Sequence, residues 1–267
     1  MKAMSLQVTS AIVALLWASA APAGQLAGEC PRPGTLGTSR VLAVEAKTTP
    51  RVGLKSFAQT LPLEDHEVVL TFDDGPRSPM TDRLLNTLAD QCARATFFIV
   101  GRSALERKAT VQRMAAEGHT IGHHSLGHQN LSRIAFDKAI DEIDRGIAND
   151  EMALKGRSTS VPSTPFFRFP YFASTPALLD RLQSRDIVVF GADLWASDWN
   201  PMTPEQEYNL ITRRLNAAHK GIILFHDPQP RTVAMLPAFL RYLRDNHYRV
   251  VHIVPQTASG ATVTGVP

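Results

Sequence analysis

The chain has 267 residues, 44% of them apolar, enough to fill the core of one large domain. Its 28 basic and 25 acidic residues leave a net charge of +3. That excess is too small to argue for nucleic acid, and with no block of like charges the surface reads as mixed and solvated.

The first segment, MKAMSLQVTSAIVALLWASAAPAG, combines one lysine, an apolar stretch from Ala11 to Trp17, and small residues at Ala18-Ser19-Ala20 and Ala21-Pro22-Ala23. Residues 1–23 read as a secretory signal peptide too short to span a membrane comfortably, with an uncleaved anchor as the alternative. An exported chain is therefore expected, in the periplasm, cell envelope or medium, with no stable membrane span once the signal is removed. Both cysteines, Cys30 and Cys92, would lie in the mature chain. An oxidising compartment permits a disulfide between them, and two unpaired thiols fit the sequence equally. Residues 24–66, rich in Gly, Pro, Thr and Ser without sustained periodicity, are expected to form an irregular arm, and residues 255–267 a disordered tail.

Between them, residues 67–254 alternate short β-rich runs with helical patterns. The runs are EVVLTF (67–72), ATFFIV (95–100), HTIGH (119–123), FFRF (166–169), IVVFGADL (187–194), GIILFH (221–226) and RVVHIV (249–254). Runs of this length, rich in Val, Ile and Phe and bounded by turn residues, suit strands buried on both faces. Phe97 and Phe98 belong to that core. Phe136, Ile140, Ile143 and Ile147 recur at spacings of four, three and four, which gives a helix one apolar stripe. Thr175-Pro176 opens a helix carrying Leu178, Leu179 and Leu182, and Thr203-Pro204-Glu205-Gln206 offers an N-cap, a first-turn proline and a capping-box Gln. Pro237 falls inside the last helical pattern and should kink or delay it. Strands joined by helices indicate a single parallel α/β domain. A barrel related to the (β/α)8 design fits best, and an open doubly wound sheet second.

In either fold, chemistry belongs at the C-terminal ends of the strands. Polar residues gather there: Asp73 and Asp74 after the first run, His124 and His128 after the third, Arg168 within the fourth, Asp198 after the fifth, and His226 ending the sixth. His124 and His128 are close enough for one helical turn or a tight loop to aim both imidazoles at one point, although His123 competes for the first position. Two histidines with an aspartate from another strand end make a divalent-metal site with room for water. His66, His119, His219, His247 and His252 show no such pattern and read as surface or satisfied core residues. Trp195, Tyr171 and Phe172 fall near the rim, where they serve either core packing or stacking on sugar rings.

TFDDGP, His124-Ser125-Leu126-Gly127-His128, Arg168-Phe169-Pro170-Tyr171, Asp198-Trp199 and Leu224-Phe225-His226 occur in an order that resembles the polysaccharide deacetylases with a NodB homology domain, carbohydrate esterase family 4. The resemblance covers residues 67–254. It implies a distorted (β/α)7 barrel that removes acetyl groups from N-acetylated sugars. It also implies that Asp74, His124 and His128 bind a divalent metal, usually zinc and in some members cobalt or another ion. Asp73 would be the general base, held and tuned by Arg168, and the Tyr171 backbone N–H would help bind the oxyanion. His226 would be the general acid, oriented by Asp198, with Trp199 and Leu224 lining the acetyl-methyl pocket.

Amide chemistry asks for the same parts: an activated water, a polarised carbonyl and a proton for the departing amine. The chain departs from many relatives in two places. Where they carry Asp-x-x-Asp-Trp, it reads Trp195-Ala196-Ser197-Asp198-Trp199, with Asp193 two residues earlier, and His123 stands where many have Asn. The expected substrate is an N-acetylated glycan such as chitooligosaccharide or peptidoglycan. The alternatives are a carbohydrate-binding protein without turnover and an amidohydrolase of a small non-sugar amide.

Overall fold

The computed structural model describes residues 32–159 and 161–256. The signal segment 1–23, Cys30 and all but the first two residues of the expected tail lie outside the described residues.

Among the described residues ten strands run in chain order: β1 (Arg40–Val44), β2 (Arg51–Val52), β3 (Glu67–Asp73), β4 (Thr96–Ile99), β5 (Thr120–His123), β6 (Phe166–Phe167), β7 (Val188–Phe190), β8 (Leu194–Trp195), β9 (Gly221–His226) and β10 (Arg249–Pro255). Seven α-helices accompany them among the described residues: α1 (Met80–Asp90), α2 (Gly101–Glu106), α3 (Lys108–Ala116), α4 (Phe136–Lys155), α5 (Pro176–Gln183), α6 (Pro204–Ala218) and α7 (Pro230–Asp245). Every strand pairing is parallel. Going round the barrel, β8 pairs with β9, β9 with β3, and β3 leads through β4, β5 and β6 to β7. Between β7 and β8 the ladder is open, which is the distortion expected of the barrel.

Alternation along β3 sorts its side chains. Val68, Leu70 and Phe72 join the cluster under the helices, with Leu84 and Leu88 of α1, Ile211 and Leu215 of α6, and Leu236 and Leu240 of α7. Val69 faces the other way, into the interior cluster with Phe98, Phe166, Phe190 and Ile222. Thr71 and Asp73 share Val69's side by the same period of two, so the inward face of β3 becomes polar toward its C-terminal end.

The structure changes four expectations. Within the supposed irregular arm, β1 pairs with β10 and β2 with β7. Such short edge strands carry no periodicity of their own and take their register from the exposed edges they cover. The run 187–194 is two strands rather than one. Its break falls at 191–193, where Gly191 O accepts Arg168 Nη2 at 2.7 Å, Gly191 N donates to Val52 O at 2.6 Å and Ala192 O accepts Lys55 N at 2.9 Å. α7 begins at Pro230 and continues through Pro237 to Asp245, so the proline does not delay the helix; lacking an N–H, it donates no hydrogen bond of its own. Phe136, the first residue of the predicted stripe, is exposed, while Ile143 and Ile147 are buried.

Candidate active site

Strand register assembles the site. Asp73 pairs with Phe98 on one side and His226 on the other, while Ile99 pairs with His123 and His123 with Phe167. The residues that follow these ends, Asp74, His124 and Arg168, therefore share one rim.

Arg168 is fully buried beneath it. Its Nη1 donates to Asp73 Oδ1 at 2.7 Å and to Thr71 Oγ1 at 2.9 Å, and its guanidinium carbon lies 4.2 Å from the Phe98 ring centroid. With Nη2 spent on Gly191 O, the guanidinium is held from several directions and anchors Asp73 through one charge-assisted hydrogen bond.

Asp74 leaves the strand at φ 76°, a left-handed conformation that carries its carboxylate away from Asp73's path. Asp74 Oδ1 lies 3.4 Å from His124 Nε2 and 3.1 Å from His128 Nε2, and it is buried without a hydrogen-bond partner. His124 Nδ1 sits 2.7 Å from the Arg168 carbonyl, which assigns it the N–H and leaves Nε2 as the electron-pair donor toward Asp74. His128 comes from a loop, not a helical turn. Ser125 (φ 65°) and His128 (φ 57°) are both left-handed, and His128 N donates to Ser125 Oγ at 3.0 Å. α4 packs directly under that loop through Gly146, where a Cβ would meet Ser125 C at 2.5 Å. Burial opposes ionisation of Asp74, yet imidazolium charge on His124 and His128 outweighs it and holds its carboxyl well below the usual carboxylate range, a need for positive charge that a cation on the Nε2 lone pairs would equally meet.

The donor atoms of Asp74, His124 and His128 lie within 4.8 Å of one another. Two imidazole nitrogens converging on an otherwise unpaired carboxylate oxygen fit a divalent cation with positions left for water. His123 does not join them. It pairs with Asp150 of α4, Nδ1 to Oδ2 at 2.7 Å, both buried. A second grouping, Asp65, His66 and His219, precedes β3 and β9 at the opposite rim and is largely open to solvent.

Facing the cluster, His226 Nε2 lies 3.9 Å from Asp74 Oδ2, and His124 Nε2 lies 3.9 Å from Asp73 Oδ2. Asp198 grips His226 twice, accepting Nδ1 at Oδ1 and the backbone N–H at Oδ2, each at 2.7 Å. Burial lowers the His226 pKa, but the Asp198 bond and charge, with Asp73 and Asp74 behind it, push it up to about 9. Trp199, exposed, stands edge-on to His226 with centroids 5.8 Å apart, and Leu224 pairs in register with Thr71 and Trp195. Tyr171 (φ 58°) is exposed and its ring meets that of His128 at 4.7 Å. Of the ten residues to which the resemblance gives roles, nine lie at or just beneath this rim, and Leu224 lies two positions before the end of β9.

Sequence reading missed what stands behind them. Thr232 Oγ1 lies 2.7 Å from Asp198 Oδ2 and 2.9 Å from Glu207 Oε1, and Arg231 Nη1 donates to the Asp198 carbonyl at 2.5 Å. A signal for Glu207 existed: with Ile211 and Leu215 it forms an i, i+4, i+8 row on α6, a carboxyl in the stripe that faces the core.

The sequence pattern of the family described as Polysaccharide deacetylase matches residues 61–189. The chain is 31% identical over 193 residues to a peptidoglycan-N-acetylglucosamine deacetylase of Bacillus cereus, covering 67% of this chain and 66% of that one. It is 32% identical over 167 residues to a chitooligosaccharide deacetylase of Azorhizobium caulinodans, covering 61% of this chain and 74% of the relative. A solved peptidoglycan deacetylase of Bdellovibrio bacteriovorus superposes with a TM-score of 0.71 at 29% identity, over 84% of this chain and 61% of its own. The chain thus spans just under two thirds of the Bacillus cereus relative, and only 38% of a similar peptidoglycan deacetylase of Listeria monocytogenes.

Proposed function

Since this chain belongs to the polysaccharide deacetylase family, we propose that it hydrolyses N-acetyl groups on an N-acetylglucosamine-containing glycan, with help from a divalent metal, and releases acetate. One observation supports this above the others: Asp73 and His226 are register partners on neighbouring strands and flank the Asp74–His124–His128 cluster. A base and an acid on two sides of one cation site are what amide hydrolysis requires.

In this reading Asp74, His124 and His128 hold the ion. When bound, it lowers the pKa of a water and polarises the acetyl carbonyl. Asp73, held in place by Arg168, accepts the proton of the attacking water. The Tyr171 N–H donates to the developing oxyanion. His226, charged through its contact with Asp198, gives a proton to the sugar nitrogen so that the amine can leave. Leu224 and Trp199 surround the methyl group. Exposed Tyr171 and Trp199, with Phe172 stacked on Trp195 at 5.8 Å, offer flat faces to sugar rings.

Zinc is the proposed metal, and chitooligosaccharide or peptidoglycan the proposed substrate. Export through residues 1–23 would place the enzyme with envelope glycans; among the described residues no helix is long and apolar enough to cross a membrane. The test is a panel of N-acetylated chitooligosaccharides, peptidoglycan and small non-sugar acetamides, scored for acetate. Release from at least one glycan and none from the acetamides is expected. Turnover of the acetamides alone would overturn the glycan assignment.

A further inference from the structure

Behind His226 lies an arrangement that can be settled by counting protons. Thr232 has one hydroxyl hydrogen and two carboxyl oxygens within reach, Asp198 Oδ2 at 2.7 Å and Glu207 Oε1 at 2.9 Å. A hydroxyl donates once and must accept from its other neighbour, so one of the two carboxyls carries a proton. Asp198 already accepts the Nδ1 and the backbone N–H of His226, both at 2.7 Å, which is the environment of an anion. Glu207 has no such support. It is fully buried, and its Oε2 has no hydrogen-bond partner. An ionised carboxylate with one oxygen bare in the core is strongly disfavoured, whereas a neutral carboxyl leaves only a carbonyl unmet.

We infer that Glu207 is a positioning residue, a neutral carboxylic acid that donates to Thr232 and thereby directs the Thr232 hydroxyl onto Asp198, fixing the carboxylate that holds His226. The direction of every bond follows: Glu207 O–H to Thr232 Oγ1, Thr232 O–H to Asp198 Oδ2, His226 Nδ1–H to Asp198 Oδ1. The charges that face Glu207 are Asp198, Arg231 and His226. Burial first, and then Asp198, outweigh Thr232 and the two cations and push its pKa up to about 8, in keeping with a proton retained at neutral pH.

The effect on turnover rests on the reaction proposed above; the proton on Glu207 does not. Infrared difference spectroscopy of the metal-loaded enzyme at pH 7 should show a protonated-carboxyl stretch that disappears in Glu207→Gln. Kinetically, Glu207→Leu and Thr232→Val should lower kcat about tenfold with KM unchanged, the worth of one oriented hydrogen bond. Glu207→Gln, whose amide N–H donates to Thr232 as the acid does, should restore kcat to within about threefold of wild type. An unchanged carboxyl spectrum in Glu207→Gln would overturn the protonation assignment even if the enzyme released no acetate. Wild-type kcat in well-folded Glu207→Leu, or a Glu207→Gln as impaired as Glu207→Leu, would overturn the positioning role.

Discussion

Asp73 and Asp74 are neighbours in sequence but not in environment. Asp73 closes a regular strand and points inward onto Arg168, while Asp74 turns at φ 76° toward two imidazoles. The mutual repulsion of two carboxylates is met by a cation on each, a buried guanidinium for one and the proposed metal for the other. If Asp74 and the histidines are ligands, His128→Ala should lower zinc affinity by a large factor while the fold persists, since His128 sits in a loop and is only partly buried. Titration with a competing chelator, with circular dichroism alongside, reads both; unchanged affinity would remove His128 from the ligand set. At this scale the sequence was informative, because the residues concerned follow β-runs directly. It was silent on Thr232, which reaches the site from α7, and it offered Glu207 of α6 only as a carboxyl in an apolar helical row, whose partner becomes visible when the helices are packed.

Among elements, the long runs 67–72 and 221–226 were legible because full burial on both faces leaves an unbroken apolar signature. The shorter strands were not. β1 and β2 depend on edges supplied by β10 and β7, and the gap between β7 and β8 depends on Arg168 and the arm claiming the intervening carbonyls. Asp193 belongs to the same device, accepting Leu54 N, Thr60 Oγ1 and Ile222 N at 2.7 to 2.8 Å and so tying the arm to β9. β10 carries a pH-sensitive element. Thr120 Oγ1 donates to Ile253 O at 2.6 Å, so it accepts from His252 Nε2 at 2.9 Å, and His252 Nδ1 is left buried without a partner. Burial, aided by Arg94 and His119, lowers the His252 pKa from 6.5 to about 3. A depressed imidazole pKa means that the unfolded chain takes up a proton the folded one refuses. Stability from this residue is complete above pH 6.5 and is lost as pH falls toward 3, with a slope of about 1.4 kcal/mol per unit. His252→Gln should flatten the wild-type decline in unfolding free energy between those limits, measured in urea; identical slopes would show that His252 protonates freely in the folded state.

For the whole molecule, a parallel barrel explains why residues more than a hundred positions apart form one site: parallel strands deliver all their C-terminal ends to the same rim. The five motifs read along the chain are five of those ends. The opposite rim holds Asp65, His66 and His219, which no motif singled out and which face solvent. On the proposed reading Asp73, acting beside a metal held by Asp74, His124 and His128, removes acetyl groups from a glycan. The most direct measurement is acetate release from N-acetylated chitooligosaccharide and from peptidoglycan, by wild type and Asp73→Asn, as purified, after chelation and after zinc is restored. Wild-type activity should vanish on chelation and return with zinc, while Asp73→Asn should bind zinc normally and turn over about 10²- to 10⁴-fold more slowly. Acetate release that survives chelation, or an Asp73→Asn enzyme as fast as wild type, would contradict it.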